Sequence, residues 1–203
     1  FGFSQANREN RARNRLDYSY SSVENKLRLD KAENDLGDVR LNLGYTVYQN
    51  NNRVWSLRGG LKLPTGNPKK FTGSDAIDVF AGLYFSDEVF FGVESLSFHC
   101  NIGAIALGNG EFIRSETKNL AAFGSSTLAW KLSPRFSLKV QFDFHSAFYD
   151  SKLKELGDFS GQLVLGGSLI LGRKLQLDVS VSEDVIVDTA PDVVFGFGVR
   201  SIF

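Results

Sequence analysis

The chain has 203 residues, and its 23 Lys plus Arg balance 23 Asp plus Glu, which excludes the basic field of a nucleic-acid binder. Mean hydropathy is −0.13 and no run approaches the ~20 apolar residues of a membrane helix, so helical spans are excluded as well. A single cysteine, Cys100, rules out an intrachain disulfide.

Neutral hydropathy does not exclude a membrane barrel, because a barrel carries its apolar groups in alternate positions. The first segment, FGFSQANREN onward, has no initiator Met and no visible signal peptide, and reads as a processed product or a piece of something longer. Residues 1–36 are polar, with RLDYSYSS and NKLRLDK as a predicted hairpin. From Asp38 the pattern changes. DVRLNLGYTVYQ sets Val39, Leu41, Leu43, Tyr45 and Val47 on one face, and RVWSLRGGLKLP sets Trp55, Leu57, Leu61 and Leu63 against Arg58 and Lys62. AIDVFAGLYF and SLSFHCNIGAIA continue the alternation, with Asp78, Tyr84, His99 and Asn101 on the polar side. LAAFGSSTLAWKL is the weakest segment, since both of its faces are small or mixed.

The second half is cleaner. FSLKVQFDFHSAFY opposes Phe136, Leu138, Val140, Phe142, Phe144 and Phe148 to Lys139, Gln141, Asp143, His145 and Tyr149. QLVLGGSLIL, LQLDVSVSED and the terminal VFGFGVRSIF complete nine predicted strands. Short connections (NNN, SDE, SPR, GRK) alternate with longer ones (TGNPKKFTGSD, GNGEFIRSETK, DSKLKELGD, DVIVDTAPD). That is the wiring of an up-and-down membrane barrel, with tight turns on the periplasmic side. Strands of about ten residues, tilted by ~40°, span roughly 25 Å, the height of an outer-membrane apolar band.

A soluble sandwich or lipocalin-like barrel has the same alternation with its apolar face turned inward. Three features favour the membrane barrel. Phe, Leu and Val dominate one face. The other mixes Arg40, Arg58, Lys62, Lys139 and Arg200 with Asp78, Asp143 and Asp178, a charge lining suited to a hydrated lumen. Aromatics fall at strand ends (Tyr48, Trp55, Phe85, Trp130, Phe136, Phe148, Phe203), where an interfacial girdle belongs. The predicted fold is therefore an all-β, antiparallel, up-and-down transmembrane β-barrel. Residues 1–36 form an extracellular loop and hairpin, and 37–203 form the C-terminal part of the barrel. Nine strands leave the first and last pointing the same way, so antiparallel closure is impossible without further strands. The expectation is that strands are missing from the front.

LGDVRLNLGY, LRGGLKLPTGN, FTGSDAIDV, SEDVIVDTAPDVVFGFGVR and the terminal Phe resemble an uncharacterised family of Gram-negative outer-membrane proteins, a domain of unknown function. The resemblance covers nearly the whole chain, and LKLPTG also resembles a segment of phenol-pathway outer-membrane transport proteins. FGFSQANRENRARNRLDYSY is similar to the family's middle, which implies roughly three strands upstream and about twelve in all. The resemblance carries no catalytic residue. Outer-membrane barrels end in an aromatic on an alternating strand that the barrel-assembly machinery recognises, and Phe195, Phe197, Val199 and Phe203 fit that assembly signal.

Catalytic and metal chemistry finds little support. His99 and His145 both fall on the polar face; lipid-cleaving barrels turn their catalytic histidine to the bilayer. Ser97 neighbours His99, whereas Ser146 projects away from His145; a Ser–His pair from separate strands stays open, and lumen-filling polarity explains both histidines more simply. Glu183, Asp184, Asp188 and Asp192 could bind Ca²⁺, but solvated loop charge or cation-bridged lipopolysaccharide serves equally. LPTG at 63–66 lacks the rest of a sorting signal, and GGLKLPTGN lacks the Lys of a phosphate loop. No cofactor or metal is expected, and Cys100 reads as an inert thiol on the apolar face. The expected function is a bacterial outer-membrane pore or transporter for small solutes. The alternatives are a structural barrel anchoring a surface or periplasmic assembly and, behind it, a lipid-modifying enzyme. Outer-membrane lipid, lipopolysaccharide and the assembly machinery are the expected partners, with a protein partner possible at the extracellular loops and no nucleic acid.

Overall fold

Period-2 alternation over ten or so residues has one cheap solution, a strand paired on both sides with a different environment on each face. The computed structural model describes residues 16–19, 26–29, 35–70, 72–110, 117–151, 157–172, 175–186 and 193–201. The predicted strands form as β3 (Val39–Gln49), β4 (Arg53–Leu63), β5 (Asp78–Asp87), β6 (Leu96–Ala106), β7 (Leu120–Ser133), β8 (Phe136–His145), β9 (Ser160–Leu171), β10 (Leu175–Ile186) and β11 (Val193–Ser201). They make one 9-stranded antiparallel sheet in sequence order, without a crossover. Ahead of it, β1 (Leu16–Ser19) and β2 (Lys26–Leu29) pair as a separate two-stranded sheet, with Leu16 opposite Leu29. No helix among the described residues is long and apolar enough to cross a membrane, which says nothing about crossing by strands.

The strand ends joined by the connections after β3, β5, β7 and β9 lie at one end of the sheet, and those joined by the connections after β4, β6, β8 and β10 at the other. The β5–β6 connection differs from the expected SDE turn. It runs from Glu88 to Ser95 and contains a 3-10 turn, Phe90–Gly92. Phe91 adopts φ 53°, ψ 26° there, a left-handed conformation unfavourable for a bulky side chain. Its neighbour Phe90 stacks on Phe98 at 4.8 Å, Phe98 lies 6.5 Å from Phe85, and Phe85 lies 4.5 Å from Trp55. A file of rings thus crosses three strands at the short-connection end. Phe148 also departs from expectation: β8 stops at His145, and Phe148 turns back against that imidazole, 4.6 Å between centroids.

Register shifts interrupt the ladder between Thr46 and Tyr48, Lys131 and Ser133, and Asp184 and Ile186. An extra residue at a bulge reverses which face the following side chains take. Tyr48 would fall on the polar face by strict alternation; the bulge sets it opposite Trp55 instead, beside the aromatic file.

The two faces differ in exposure in the sense opposite to a soluble sheet. Leu43, Phe195, Phe197 and Val199 on the apolar face are 84%, 68%, 76% and 71% exposed. On the polar face Ser160 and Ser168 are 5% and 6% exposed, and Ala121 is buried. The sheet shields its polar side. Its edges are β3 and β11, unpaired among the described residues on their outer sides, and eight successive reversals make them run in the same direction.

The mixed segment predicted as weakest becomes β7, and its small residues are where neighbouring rings lie. The Phe144 ring covers Gly124 so closely that a Cβ there would come within 2.5 Å of the ring and 2.8 Å of the Asn101 carbonyl oxygen. At Gly44 a Cβ would meet its nearest atom, Arg58 Cγ, at an ordinary 3.6 Å. Gly124→Ala should therefore lower folding stability by about 1–3 kcal/mol through overpacking, while Gly44→Ala stays within about 1 kcal/mol of the parent. Urea unfolding of the refolded protein measures both, and equal effects would contradict the close approach.

Candidate functional site

The polar face carries the groups with chemistry, and the ladder decides which of them meet. Arg40 stands opposite Lys62, Asn42 opposite Gly60 and Arg58 opposite Gly44 across β3–β4; Lys62 stands opposite Asp78 and Arg58 opposite Gly82 across β4–β5. Arg40, Asn42, Arg58, Lys62, Phe80 and Tyr84 line a groove of about 530 Å³. The Arg58 guanidinium lies over the Tyr84 ring, 4.7 Å from its centroid, a cation–π arrangement that fixes its plane. Phe80 meets Phe123 edge-on at 6.3 Å and gives the groove an aromatic floor.

At the long-loop rim the LKLPTGN and TGSDAID stretches fold into a latch. Asp38, just before β3, accepts hydrogen bonds from the amides of Gly66 and Ser74, both 3.0 Å, and from the Ser74 hydroxyl at 3.1 Å. Lys62 forms an ion pair with Asp78 and lies 3.8 Å from Asp38. Asp78 also accepts from the Gly108 amide at 3.0 Å, so the start of β3, the β4–β5 connection and the end of β6 are tied together. Thr65 Oγ1 accepts from the Val39 amide and donates to the Gly37 carbonyl, each at 2.9 Å.

A second charged cluster spans β8–β11. Asp178 accepts hydrogen bonds from Ser168 and, at 2.9 Å, from the Gln176 amide. Lys139 and Arg200 approach it to 3.8 and 3.7 Å. Lys139 also donates to Ser168 Oγ at 2.7 Å. Asp143 is held by the Gln141 side-chain amide at 2.9 and 2.8 Å. Of the five predicted lining cations, Lys62, Lys139 and Arg200 meet a carboxylate; Arg40 and Arg58 form no ion pair among the described residues.

Sequence reading missed one contact. Ser86 is hydrogen-bonded to Nδ1 of His99, its partner in the β5–β6 register, where Ser97 had been weighed. Among the described residues no carboxylate is placed on that imidazole, and the nearby Asp87 is taken by Arg53 at 2.8 Å and the Val89 amide at 3.1 Å. His145 Nδ1 lies 3.0 Å from the Ser146 carbonyl. Among the described residues no group of three or more His, Cys, Asp or Glu is placed to hold a metal ion. Asp188, Asp192 and Phe203 lie outside the described residues. Phe195, Phe197 and Val199 project from the apolar face of edge strand β11.

Burial pushes the Asp38 carboxyl upward, but the Ser74 and Gly66 amides, the Ser74 hydroxyl and Lys62 outweigh it and hold it below its ordinary value of 3.8. A depressed carboxylate stabilises the latch above that value and ceases to do so as pH falls through the lower folded value. Relative to the intrinsic, pH-corrected rate, hydrogen exchange at the Gly66 and Ser74 amides should therefore be slow at neutral pH and accelerate below about pH 4. Asp38→Asn should raise it at neutral pH by roughly tenfold. Exchange insensitive to both would mean that Asp38 does not hold the loop.

No curated protein matches the chain. The fold is similar to that of the COG4313 outer membrane channel from Pseudomonas putida F1, with a TM-score of 0.62 and 16% identity over 82% of this chain and 67% of that one. The likeness concerns the fold, an antiparallel all-β sheet with its strands in sequence order. The family model described as "Protein of unknown function (DUF3187)" matches residues 1–203, and the chain belongs to that family.

Proposed function

We propose that this protein forms a large part of the wall of an outer-membrane β-barrel that passes small solutes through its lumen. The observation that carries the reading is the inversion of exposure: Leu, Val and Phe stand in the open on one face while Ser160, Ser168 and Asp78 are buried on the other. Water penalises exposed apolar area by about 25 cal/mol per Å², and hydrocarbon does not, so a belt of exposed Leu and Phe is stable only against lipid. The likeness to an outer membrane channel supports the same location and role. Closure takes an odd number of further strands between β11 and β3, because the edges run in the same direction. Three would give a barrel of about twelve, narrower than open porins and wider than packed eight-stranded barrels. In that setting the terminal-strand residues Phe195, Phe197, Val199 and Phe203 serve as the assembly signal.

One observation favours the structural alternative, a closed barrel that anchors an assembly. The Asp178 cluster and the Phe80–Phe123 pair project from the polar face and occupy interior space. Planar-bilayer recording on the full-length protein separates the readings. The pore predicts discrete conductance steps that change when Arg58 and Asp143 are neutralised; a silent protein, correctly folded by its heat-dependent gel shift, would end it.

Location has its own test. Trp55 and Trp130 both lie on the apolar face near the short connections. In vesicles, lipids brominated near the headgroup end of the acyl chain should quench their fluorescence more than lipids brominated at the chain terminus. Emission indifferent to bromolipid and quenched by aqueous iodide would place this face in water.

A further inference from the structure

The geometry points to an anion subsite in the groove between β3, β4 and β5, with Arg40 and Arg58 as its charged groups, for small solutes bearing a carboxylate or phosphate. The inference deepens the pore reading and rests on it for its role, though not for its existence as a binding site.

Its charge is unbalanced locally. The groove's carboxylate, Asp78, is already held by Lys62 and the Gly108 amide. Lys62 faces two carboxylates, Asp78 and, at 3.8 Å, Asp38, whereas Arg40 and Arg58 are without an ion pair among the described residues; three cations against two carboxylates leave the groove and its rim one positive charge. Asp143 on β8 and Asp178 on β10 do not pair with either arginine: Asp178 meets Lys139 and Arg200, and Asp143 is held by Gln141.

Its donors are arranged. The Arg58 guanidinium carbon lies 4.7 Å from the Tyr84 ring centroid and the residue is exposed, so its N–H donors are accessible to a ligand in the groove. A planar fork of that kind matches two oxygens of a carboxylate or phosphate, and the pairing is about twice as strong as a neutral hydrogen bond. Asn42, on the same face as Arg40, adds an amide donor. The groove, about 530 Å³, suits a small-molecule ligand. The rings of Phe80 and Tyr84 add apolar surface beside the two cations.

Two measurements on the full-length protein test this. In planar bilayers under a KCl gradient, the reversal potential should report chloride preferred over potassium. Arg40→Gln with Arg58→Gln should bring the permeability ratio down several-fold, to about one or below. A parent channel that prefers potassium, or a ratio unchanged in the double variant, would overturn the subsite. The second measurement needs no current. In detergent, phenylglyoxal modification of Arg40 and Arg58, followed by mass spectrometry, should slow about threefold or more with saturating inorganic phosphate. Arg135, in the exposed β7–β8 turn, should react at an unchanged rate and serves as the internal control. Equal slowing at all three, or at none, overturns the subsite. Protection without conductance upholds the subsite and removes the pore; conductance without protection or chloride preference does the reverse.

Discussion

The unbroken antiparallel ladder from β3 to β11 is the constraint on which every other placement depends. A strand satisfies its backbone N–H and C=O groups only through its neighbours, and in a low-dielectric surround each unsatisfied group costs several kcal/mol. Pairing in sequence order meets that demand with the shortest connections. It also fixes the register, and register decides which polar side chains touch. Lys62 meets Asp78, and Ser86 meets His99, because hairpins hold them opposite one another and for no local reason.

The strands themselves were legible because alternation is a local property: each run states its own two faces. Register is not local, since it depends on turn geometry and on bulges. That is why Lys62 and Asp78 read only as two members of a charged lining, and why Ser97 rather than Ser86 was weighed beside His99. Tyr48 was assigned to the aromatic girdle although simple alternation sets it on the other face, and the bulge after Thr46 reconciles the two. The β5–β6 connection was read as the short SDE turn, with the residues from Val89 to Glu94 assigned to no strand; the 3-10 turn Phe90–Gly92 occupies that stretch, and no local alternation announces it.

The charged lining divides by what each cation meets. Around Asp178 two cations and a hydroxyl converge, so their charge is partly met by one carboxylate. At the rim, Lys62 pairs with Asp78, lies 3.8 Å from Asp38 and holds the loop that follows β4. Further along β4, Arg58 lies over the Tyr84 ring and forms no ion pair among the described residues. Composition near neutrality therefore conceals a wall whose charge is uneven, visible only when charges are sorted by strand.

Phe91 carries an opposition of its own. Its left-handed backbone would be relaxed by glycine or asparagine, yet its ring is 83% exposed and continuous with the file that ends at Trp55. On the membrane reading proposed above, a substitution that eases the turn removes an apolar contact with the lipid boundary, and one that keeps the contact keeps the strain. Directed evolution of this protein in detergent, where micelles forgive a lost contact, should drift toward the relaxed residue. Selection inside a bilayer should resist that drift.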